Sequence, residues 1–285
     1  MRTSCYTIIT GASEGFGKAL AIECAKRNMN LVLVALPGPE LHALAQFVRR
    51  NYLVDVVLIE KDLCHKQGCL EVYSEIATMQ LSVNILINNA GLGSTLLFEE
   101  GSIRLYEQQI KLNVLATTLM TKLFLGLLKQ NSRSYIMNVS SMAAFFHLPK
   151  KHVYGATKSF VYSLSKSLRR ELKGDHVHVC VLCPGGMNTN LPVTLMNKNG
   201  SWISRMSVMN PEDVGPIAID GMLKGKEVII PGKVNRIFIL LDKLLPASIK
   251  NFLMRNAMDR QAHKNSLMRY LSPEPVVNRA AEIIQ

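Results

Sequence analysis

The sequence of 285 residues is poor in charge and in aromatic side chains, and it lacks long uninterrupted apolar runs. Charged residues make up 19% and aromatic residues 6%, while hydrophobic residues make up 48%. No stretch reaches the roughly 20 apolar residues of a membrane-spanning helix, since residues 112–128 contain Lys122 and residues 237–245 contain Asp242. This composition excludes disordered and collagen-like chains.

A secretory signal is also missing, because the chain passes from Met1-Arg2-Thr3 directly into a strand-like run. Six cysteines in so long a chain, without such a signal, favour reduced thiols over a disulfide framework. We therefore expect a cytoplasmic protein.

Positive charge is in excess: 33 Lys and Arg stand against 21 Asp and Glu, a net charge of +12. Such a charge attracts nucleic acid, an anionic cofactor or an anionic membrane surface. The sequence has no zinc-finger spacing and no recognition-helix signature, and its aromatic residues do not interleave with basic ones. We therefore expect no nucleic-acid binding.

Short β-rich runs alternate with helical patterns over most of the chain. Apolar runs between amphipathic helices are typical of a parallel sheet that is covered on both faces. The alternation predicts an α/β fold, a doubly wound parallel sheet of the Rossmann type, in one domain over residues 1–232. The predicted strands are residues 6–10, 31–35, 55–60, 84–88, 134–139, 176–182 and 227–230.

Two segments depart from this alternation. Residues 187–210 mix polar and apolar side chains and contain Gly200 and Trp202, so they are the candidate substrate lid. Residues 233–285 form a basic C-terminal extension rich in Leu and Met, with an amphipathic helical pattern at its start.

A glycine-rich turn follows the first predicted strand and reads Thr10-Gly11-Ala12-Ser13-Glu14-Gly15-Phe16-Gly17. Glycines at such a turn let backbone amides approach a pyrophosphate, and the following helix N-terminus adds partial positive charge. The position of the turn, between a strand and a helix, favours dinucleotide binding over a purely structural turn.

This turn resembles the TGxxxGxG motif of the classical short-chain dehydrogenase/reductase family, and further motifs of that family follow in order. The similarity runs from about Tyr6 to Pro231. The matching residues are Asp62-Leu63, Asn88-Asn89-Ala90-Gly91, Asn113, Ser141, Tyr154 with Lys158 as YxxxK, and Pro184-Gly185 with Thr189.

The resemblance implies reversible hydride transfer between a nicotinamide cofactor and a carbonyl or carbinol carbon. In such enzymes Tyr154 would exchange a proton with the substrate oxygen, and Lys158 would hold the nicotinamide ribose. Ser141, rather than Ser140, stands 13 positions before Tyr154, as in the family, and would hydrogen-bond the substrate oxygen. Asn113 would support a water that links Lys158 to solvent.

The chemistry of the Tyr–Lys pair supports this assignment. Tyr154 and Lys158 are four residues apart, so they share one face of a helix. A free phenol has a pKa near 10, which is too high for proton transfer at neutral pH. A nearby ammonium favours the phenolate, so we expect a lowered pKa for Tyr154.

The end of the second predicted strand decides how the adenosine ribose is recognised. An acidic residue there would repel the 2′-phosphate of NADP, but the position holds Ala35. The usual basic positions of NADP-dependent relatives hold Leu36 and Glu14. The sequence therefore favours NADP, with NAD as the alternative. The expected cofactor-binding residues are Gly11, Ser13, Gly15, Phe16, Gly17, Leu36, Asp62, Leu63, Asn89, Ala90, Gly91, Tyr154, Lys158, Pro184, Gly185 and Thr189.

We expect no metal site. Cys180 and Cys183 lie three residues apart in a predicted strand, so they face opposite sides and are more typical of buried core thiols. His176 and His178 share a strand face but lack a third ligand.

The substrate is expected to be a small hydrophobic ketone or secondary alcohol, including lipid-like, 3-oxoacyl or steroid types. The apolar character of the residues expected at the substrate mouth supports this class. They are Leu92, Phe145, Phe146, Leu148, Met187 and Trp202. The alternative is a catalytically silent NAD(P)-binding sensor or scaffold of the same fold, against which the intact catalytic set argues.

An apolar stripe is predicted on the first helix of the extension: Val234, Ile237, Phe238, Leu241, Leu244 and Leu245. Three interpretations remain open. The stripe packs over its own substrate cleft or a sister subunit of a homo-oligomer, contacts a membrane surface peripherally, or binds an acidic protein such as an acyl carrier.

Overall fold

The computed structural model describes residues 5–198 and 205–244. Its centre is a seven-stranded, all-parallel sheet with the order β3-β2-β1-β4-β5-β6-β7. The strands are β1 (Cys5–Thr10), β2 (Asn30–Ala35), β3 (Val56–Glu60), β4 (Ser82–Asn88), β5 (Ser134–Val139), β6 (Val177–Leu182) and β7 (Val228–Ile229). The doubly wound parallel sheet expected from the alternating pattern is confirmed.

Helices connect these strands and cover both faces of the sheet. They are α1 (Gly15–Lys26), α2 (Pro39–Asn51), α3 (Lys66–Thr78), α4 (Ile103–Ile110), α5 (Thr117–Lys129), α6 (His152–Glu171), α7 (Leu191–Lys198), α8 (Pro211–Leu223) and α9 (Lys233–Leu244). Helix α7 lies in the candidate lid, of which residues 199–204, including Trp202, lie outside the described residues.

Successive strand residues feed two separate cores, because side chains alternate across a sheet. Ile9 and Leu33 pack against α1, α2 and α8. Ile8 and Val34, each next to one of those residues, pack against α3 and α5 on the opposite face. All four side chains are fully buried. Burial on both faces explains why the strands read as continuous apolar runs.

The long helical pattern at residues 103–129 forms one continuous helix with a π-helical segment, Lys111–Ala116, between α4 and α5. By length and composition it is the one helix of the described residues apolar enough to cross a membrane, and 33% of its most apolar window is buried. Met120, Phe124 and Leu128 pack into the core beneath the sheet. We therefore assign it as a core helix.

The extension begins with α9, whose buried face is not the predicted stripe. Asn235 is 1% exposed and Ile239 is 9% exposed, whereas Ile237, Leu241 and Leu244 of the predicted stripe are exposed. Hydrogen bonds explain this orientation. Asn235 Nδ2 donates to the carbonyls of Pro231 and Ser207, and these bonds hold the Asn235 side of α9 against the protein. Leu245 and the rest of the extension lie outside the described residues.

Candidate active site

The glycine-rich turn lies at the carboxyl end of β1, at the point where the strand order changes direction. Gly11 has φ +64° and Gly15 has φ +52°, conformations that disfavour side chains. A Cβ added at Gly17 would collide with the Gly11 carbonyl oxygen. The turn can therefore take this tight path only with glycine at these positions.

The start of α1 is open to an anion. Glu14 precedes the helix without a side-chain cap, and the first turn contains no acidic residue. The first backbone N–H groups of a helix lack intrahelical acceptors and carry partial positive charge. A glycine cradle facing such a helix start suits a dinucleotide pyrophosphate. Phe16 is 5% exposed and packs in the core, so its own contribution to such a site is its backbone amide.

Thr10 and Asn89 join the glycine turn to the end of β4. The Thr10 hydroxyl accepts hydrogen bonds from the backbone N–H groups of Asn89 and Ala90, both at 3.0 Å. Asn89 Nδ2 donates to the carbonyls of Thr10 (2.9 Å) and Gly11 (3.1 Å). Asn89 therefore holds the turn in shape. Thr10 is a positioning residue that the sequence reasoning missed, although it stands first in the glycine motif.

The PG segment meets this turn from the other side. A Cβ added at Gly15 would lie 3.1 Å from Thr189 Cβ, so these two predicted cofactor residues are neighbours. The Pro184 carbonyl accepts from the N–H of Met142 (2.8 Å), which links the segment to the end of β5. Gly185 lies against Asn235 of α9. The structure thus brings together motifs that are up to about 180 residues apart in sequence.

The residues predicted to bind the adenosine lie near the ends of β2 and β3, and some of their side chains are already buried or hydrogen-bonded within the protein. The Asp62 carboxylate accepts from the Cys64 N–H (2.8 Å) and contacts His65 Nδ1 (3.1 Å). Leu63 is buried, and Leu36 is 60% exposed. Asp62 therefore stabilises the turn before α3 with its side chain.

A carboxylate that the sequence reasoning missed lies at this edge. Glu60 ends β3 and pairs in register with Ala35 at the end of β2. Its Oε1 accepts from the Gly38 N–H (3.1 Å) and lies 3.2 Å from His42 Nε2. A carboxylate thus lies on the neighbouring strand, next to the end of β2. Strand register, which the sequence does not state, is the signal needed to find it.

Tyr154 and Lys158 lie on one face of α6, as their spacing predicts. Lys158 Nζ is 5.8 Å from the centre of the Tyr154 ring and donates to the Val139 carbonyl (2.9 Å). Lys158 is only 5% exposed, and burial lowers the pKa of its ammonium to about 8. The Lys158 side chain is therefore fixed against the end of β5.

The expected lowering of the Tyr154 pKa is wrong. Burial raises the pKa of the phenol above its ordinary value, and a hydrogen bond with Ser141 offsets part of this rise. Burial also disfavours the charged form of Lys158, so the ammonium is a weak source of stabilisation for a phenolate. At neutral pH Tyr154 is consequently a protonated phenol.

Ser140 and Ser141 have different partners. Ser140 Oγ donates to the Lys158 carbonyl (2.7 Å), away from the phenol. Ser141 Oγ accepts from the Ala143 N–H (3.1 Å) and is the serine bonded to Tyr154. The structure thus joins Ser141, rather than Ser140, to the Tyr154 phenol, and the catalytic role of Ser141 stays a prediction.

Asn113 lies in the π-helical segment and is fully buried. Its Oδ1 accepts from the Leu92 N–H (2.8 Å), and its Nδ2 donates to the Leu92 carbonyl and to Thr157 Oγ1, both at 3.0 Å. A Cβ added at Gly91 would lie 3.1 Å from both Asn113 Oδ1 and Lys158 Nζ. The side chain thus fixes the segment after β4 beside Lys158, and its role in a water relay stays a prediction.

The two cysteines of the CxxC pattern lie in the interior of the fold. Cys180 and Cys183 are buried, and burial raises the pKa of each thiol to about 12. All six cysteines are free. In the described ranges no group of three His, Cys, Asp or Glu is arranged to hold a metal ion. Met187 packs against the core, where it pairs with Met209.

These motifs are those of a known family, and a family model described as short chain dehydrogenase matches residues 6–199. The chain belongs to the short-chain dehydrogenase family. The matched span contains the glycine turn, Ser141, Tyr154 and Lys158.

Among its relatives is human 17-beta-hydroxysteroid dehydrogenase type 3, which is 32% identical over 186 residues. That match covers 65% of this chain and 59% of the human protein, so this chain spans less than two thirds of that relative's length. The chain is also similar to a bulky-bulky ketone specific alcohol dehydrogenase from Comamonas testosteroni (25% identity, TM-score 0.71, 98% and 99% of the two chains). A short-chain dehydrogenase from Sphingobium yanoikuyae, solved with NADPH, matches at 26% identity and TM-score 0.71 over 96% and 99%.

Proposed function

We propose that this short-chain dehydrogenase transfers hydride reversibly between a nicotinamide cofactor and a hydrophobic ketone or secondary alcohol. One observation carries the proposal: Ser141, Tyr154 and Lys158 are grouped at the sheet edge that also holds the glycine turn. The named specificities of the relatives, a hydroxysteroid and a bulky ketone, support the hydrophobic class. Lipid-like, 3-oxoacyl and steroid ketones all fall within it.

Each residue has a defined part in this reaction. Ser141 donates a hydrogen bond to the substrate oxygen and orients it towards Tyr154. Tyr154 gives its proton to a carbonyl oxygen or removes one from an alcohol. At neutral pH the buried phenol is protonated, which is the form that can give a proton to a carbonyl oxygen. Lys158 binds the nicotinamide ribose.

The residues present fit a bound dinucleotide. The glycine cradle and the uncapped start of α1 would hold the pyrophosphate. Asn89 keeps the cradle in shape, and Pro184, Gly185 and Thr189 border its nicotinamide side. When bound, the cofactor supplies or accepts the hydride.

NADP is the proposed cofactor, because Ala35 places no acidic group at the end of β2 and because the Sphingobium relative binds NADPH. Glu60 limits this preference, since its carboxylate lies at the same edge. Exchange of Glu60 for Gln removes the negative charge but keeps an acceptor for the Gly38 N–H. The variant should raise kcat/KM for NADPH by about 10-fold with a smaller change for NADH. An equal effect on both cofactors would remove Glu60 from ribose recognition.

The decisive experiment is turnover of a panel of hydrophobic ketones and alcohols with each cofactor, followed by nicotinamide absorbance. The matched control is Tyr154→Phe, which keeps the ring and removes the transferable proton. Its turnover should fall by about 100-fold or more while cofactor affinity persists. Cofactor binding without turnover across the panel would instead identify a silent sensor or scaffold. Activity of Tyr154→Phe within a few-fold of wild type would refute the role of Tyr154.

We also propose a cytoplasmic homo-oligomer, a dimer or tetramer. The six free thiols are consistent with a reducing compartment. The exposed apolar side of α9 supports an oligomer contact, with peripheral membrane contact as the alternative.

A further inference from the structure

A second ammonium flanks the phenol of Tyr154. Lys151 is the N-cap residue of α6, three residues before Tyr154, and Lys158 follows Tyr154 by four residues within the helix. Lys151 Nζ is 5.5 Å from the centre of the Tyr154 ring, on the side nearer the helix start. The mechanism uses Lys158 and leaves Lys151 without a role.

Lys151 is held in place by the segment that follows β4. Its Nζ donates to Thr95 Oγ1 at 2.9 Å. The backbones join as well, since the Leu96 N–H donates to the Lys150 carbonyl (3.1 Å). A Cβ added at Gly93 would lie 3.6 Å from Tyr154 Cε2, so this segment runs along the ring. The Lys151 ammonium therefore lies near the Tyr154 ring, with the Thr95 hydroxyl as its hydrogen-bond partner.

The charge of Lys151 has no acidic partner among the described residues: none of their ion pairs includes it. Glu100, which lies on the same side of the fold, accepts from the Leu97 N–H instead. Lys151 is partly buried, and burial lowers the pKa of its ammonium. The hydrogen bond to Thr95 replaces part of the solvation that burial removes, and no carboxylate of the described residues balances the charge.

The neighbouring His152 is bonded to local backbone groups. Its Nδ1 accepts from the Val153 N–H (3.0 Å), and its Nε2 lies 3.2 Å from the Leu96 carbonyl. Both ring nitrogens of His152 therefore have backbone partners, whereas the Lys151 ammonium bonds to a side chain.

We propose that Lys151 and Thr95 form a carboxylate subsite of the substrate pocket. Two adjacent donors match the two oxygens of a carboxylate, and one positive charge balances one negative charge. The inference deepens the proposed function and rests on it: the substrate is a hydrophobic ketone, or the matching alcohol, with a carboxylate a short chain away from the reacting carbon.

The test compares two substrates: benzoylbutyrate, which is a keto acid, and its methyl ester, which is neutral. Wild type should reduce the acid with the higher kcat/KM. Lys151→Met should lower kcat/KM for the acid by about 10- to 100-fold and leave the ester within about twofold. Lys151→Arg should retain most of the preference for the acid. Lys173→Met, which removes an exposed charge beyond the far end of α6, should leave both substrates unchanged.

The outcomes separate this inference from the proposed function. Reduction of the ester without any preference for the acid, or an equal loss of both in Lys151→Met, overturns the subsite while the oxidoreductase function stands. A binding measurement does not need turnover: the Kd of benzoylbutyrate, measured by calorimetry with NADP⁺ present, should rise by a similar factor in Lys151→Met. An unchanged Kd, or no binding to wild type, also overturns the subsite.

Discussion

Ser140 and Ser141 are chemically identical neighbours with different consequences for activity. Ser141 contacts the phenol of Tyr154, so Ser141→Ala should reduce turnover by about 100-fold or more without changing cofactor affinity. The Ser140 hydroxyl donates to the Lys158 carbonyl and is hydrogen-bonded with the buried Cys183 thiol, so Ser140→Ala should cost about 1 kcal/mol of stability and little activity. Steady-state kinetics with urea denaturation of both variants checks the pair, and the reverse ranking would reassign the catalytic serine.

Lys158 makes the stability of the protein depend on pH in a defined window. Its pKa is about 8 in the folded chain, below the ordinary value of 10.5, so the unfolded chain binds more protons between these two pH values. The free energy of unfolding therefore rises with pH across this window, by up to about 3 kcal/mol from this group.

In Lys158→Met this contribution is absent. Relative to wild type, the free energy of unfolding of the variant should be higher at pH 7 than at pH 10 or above. Urea denaturation of both proteins across the window measures the difference. Parallel stability curves for the two proteins would show that Lys158 titrates with an ordinary pKa.

Helix α9 packs the start of the extension against the Pro184-Gly185 segment. Asn235 Nδ2 donates to the Pro231 carbonyl at 2.9 Å, and a Cβ added at Gly185 would lie 2.8 Å from the same nitrogen. The extension is thus packed against the PG segment. The first helix of the predicted extension, residues 233–285, is therefore in contact with the domain predicted over residues 1–232.

Replacing Asn235 with Leu removes the donor and leaves the Pro231 carbonyl without this partner. We expect a loss of about 1–3 kcal/mol in stability and an increase of about 10-fold in the Kd of the cofactor, through displacement of Gly185. Ile237→Asn, on the exposed side of the same helix, is the matched control and should change neither. Cofactor titration by calorimetry decides, and an unchanged Kd in Asn235→Leu would limit Asn235 to a structural role.

For the whole molecule, the exposed side of α9 predicts assembly. Ile237, Leu240, Leu241 and Leu244 are 45–70% exposed on one side of the helix, beside the exposed Lys233 and Arg236. Replacing Leu240 and Leu244 together with Glu should reduce the molar mass in solution to that of a monomer, as measured by light scattering, because charge disfavours burial in an apolar interface.

Vesicle flotation distinguishes a membrane contact of α9 from a contact between subunits. Binding of wild type to anionic phosphatidylglycerol vesicles that is lost at high salt and in the double variant would assign this side to a membrane surface. A mass that does not change, with no vesicle binding, would contradict both interpretations.

The fold class and most residues of the candidate site could be predicted from the sequence. Strand and helix periods are local, so the alternation of apolar runs predicted the parallel sheet. The order of short motifs located Gly11, Ser141, Tyr154 and Lys158, because each motif carries its own turn or helix spacing.

Features that depend on contacts between distant segments could not be predicted in this way. The register of β2 with β3 places Glu60 beside Ala35, and no local pattern encodes that pairing. The inward face of α9 follows from the bonds of Asn235 to other loops, not from apolar periodicity. The pKa of Tyr154 rises because surrounding elements exclude water from the phenol, and desolvation is a property of the packed molecule.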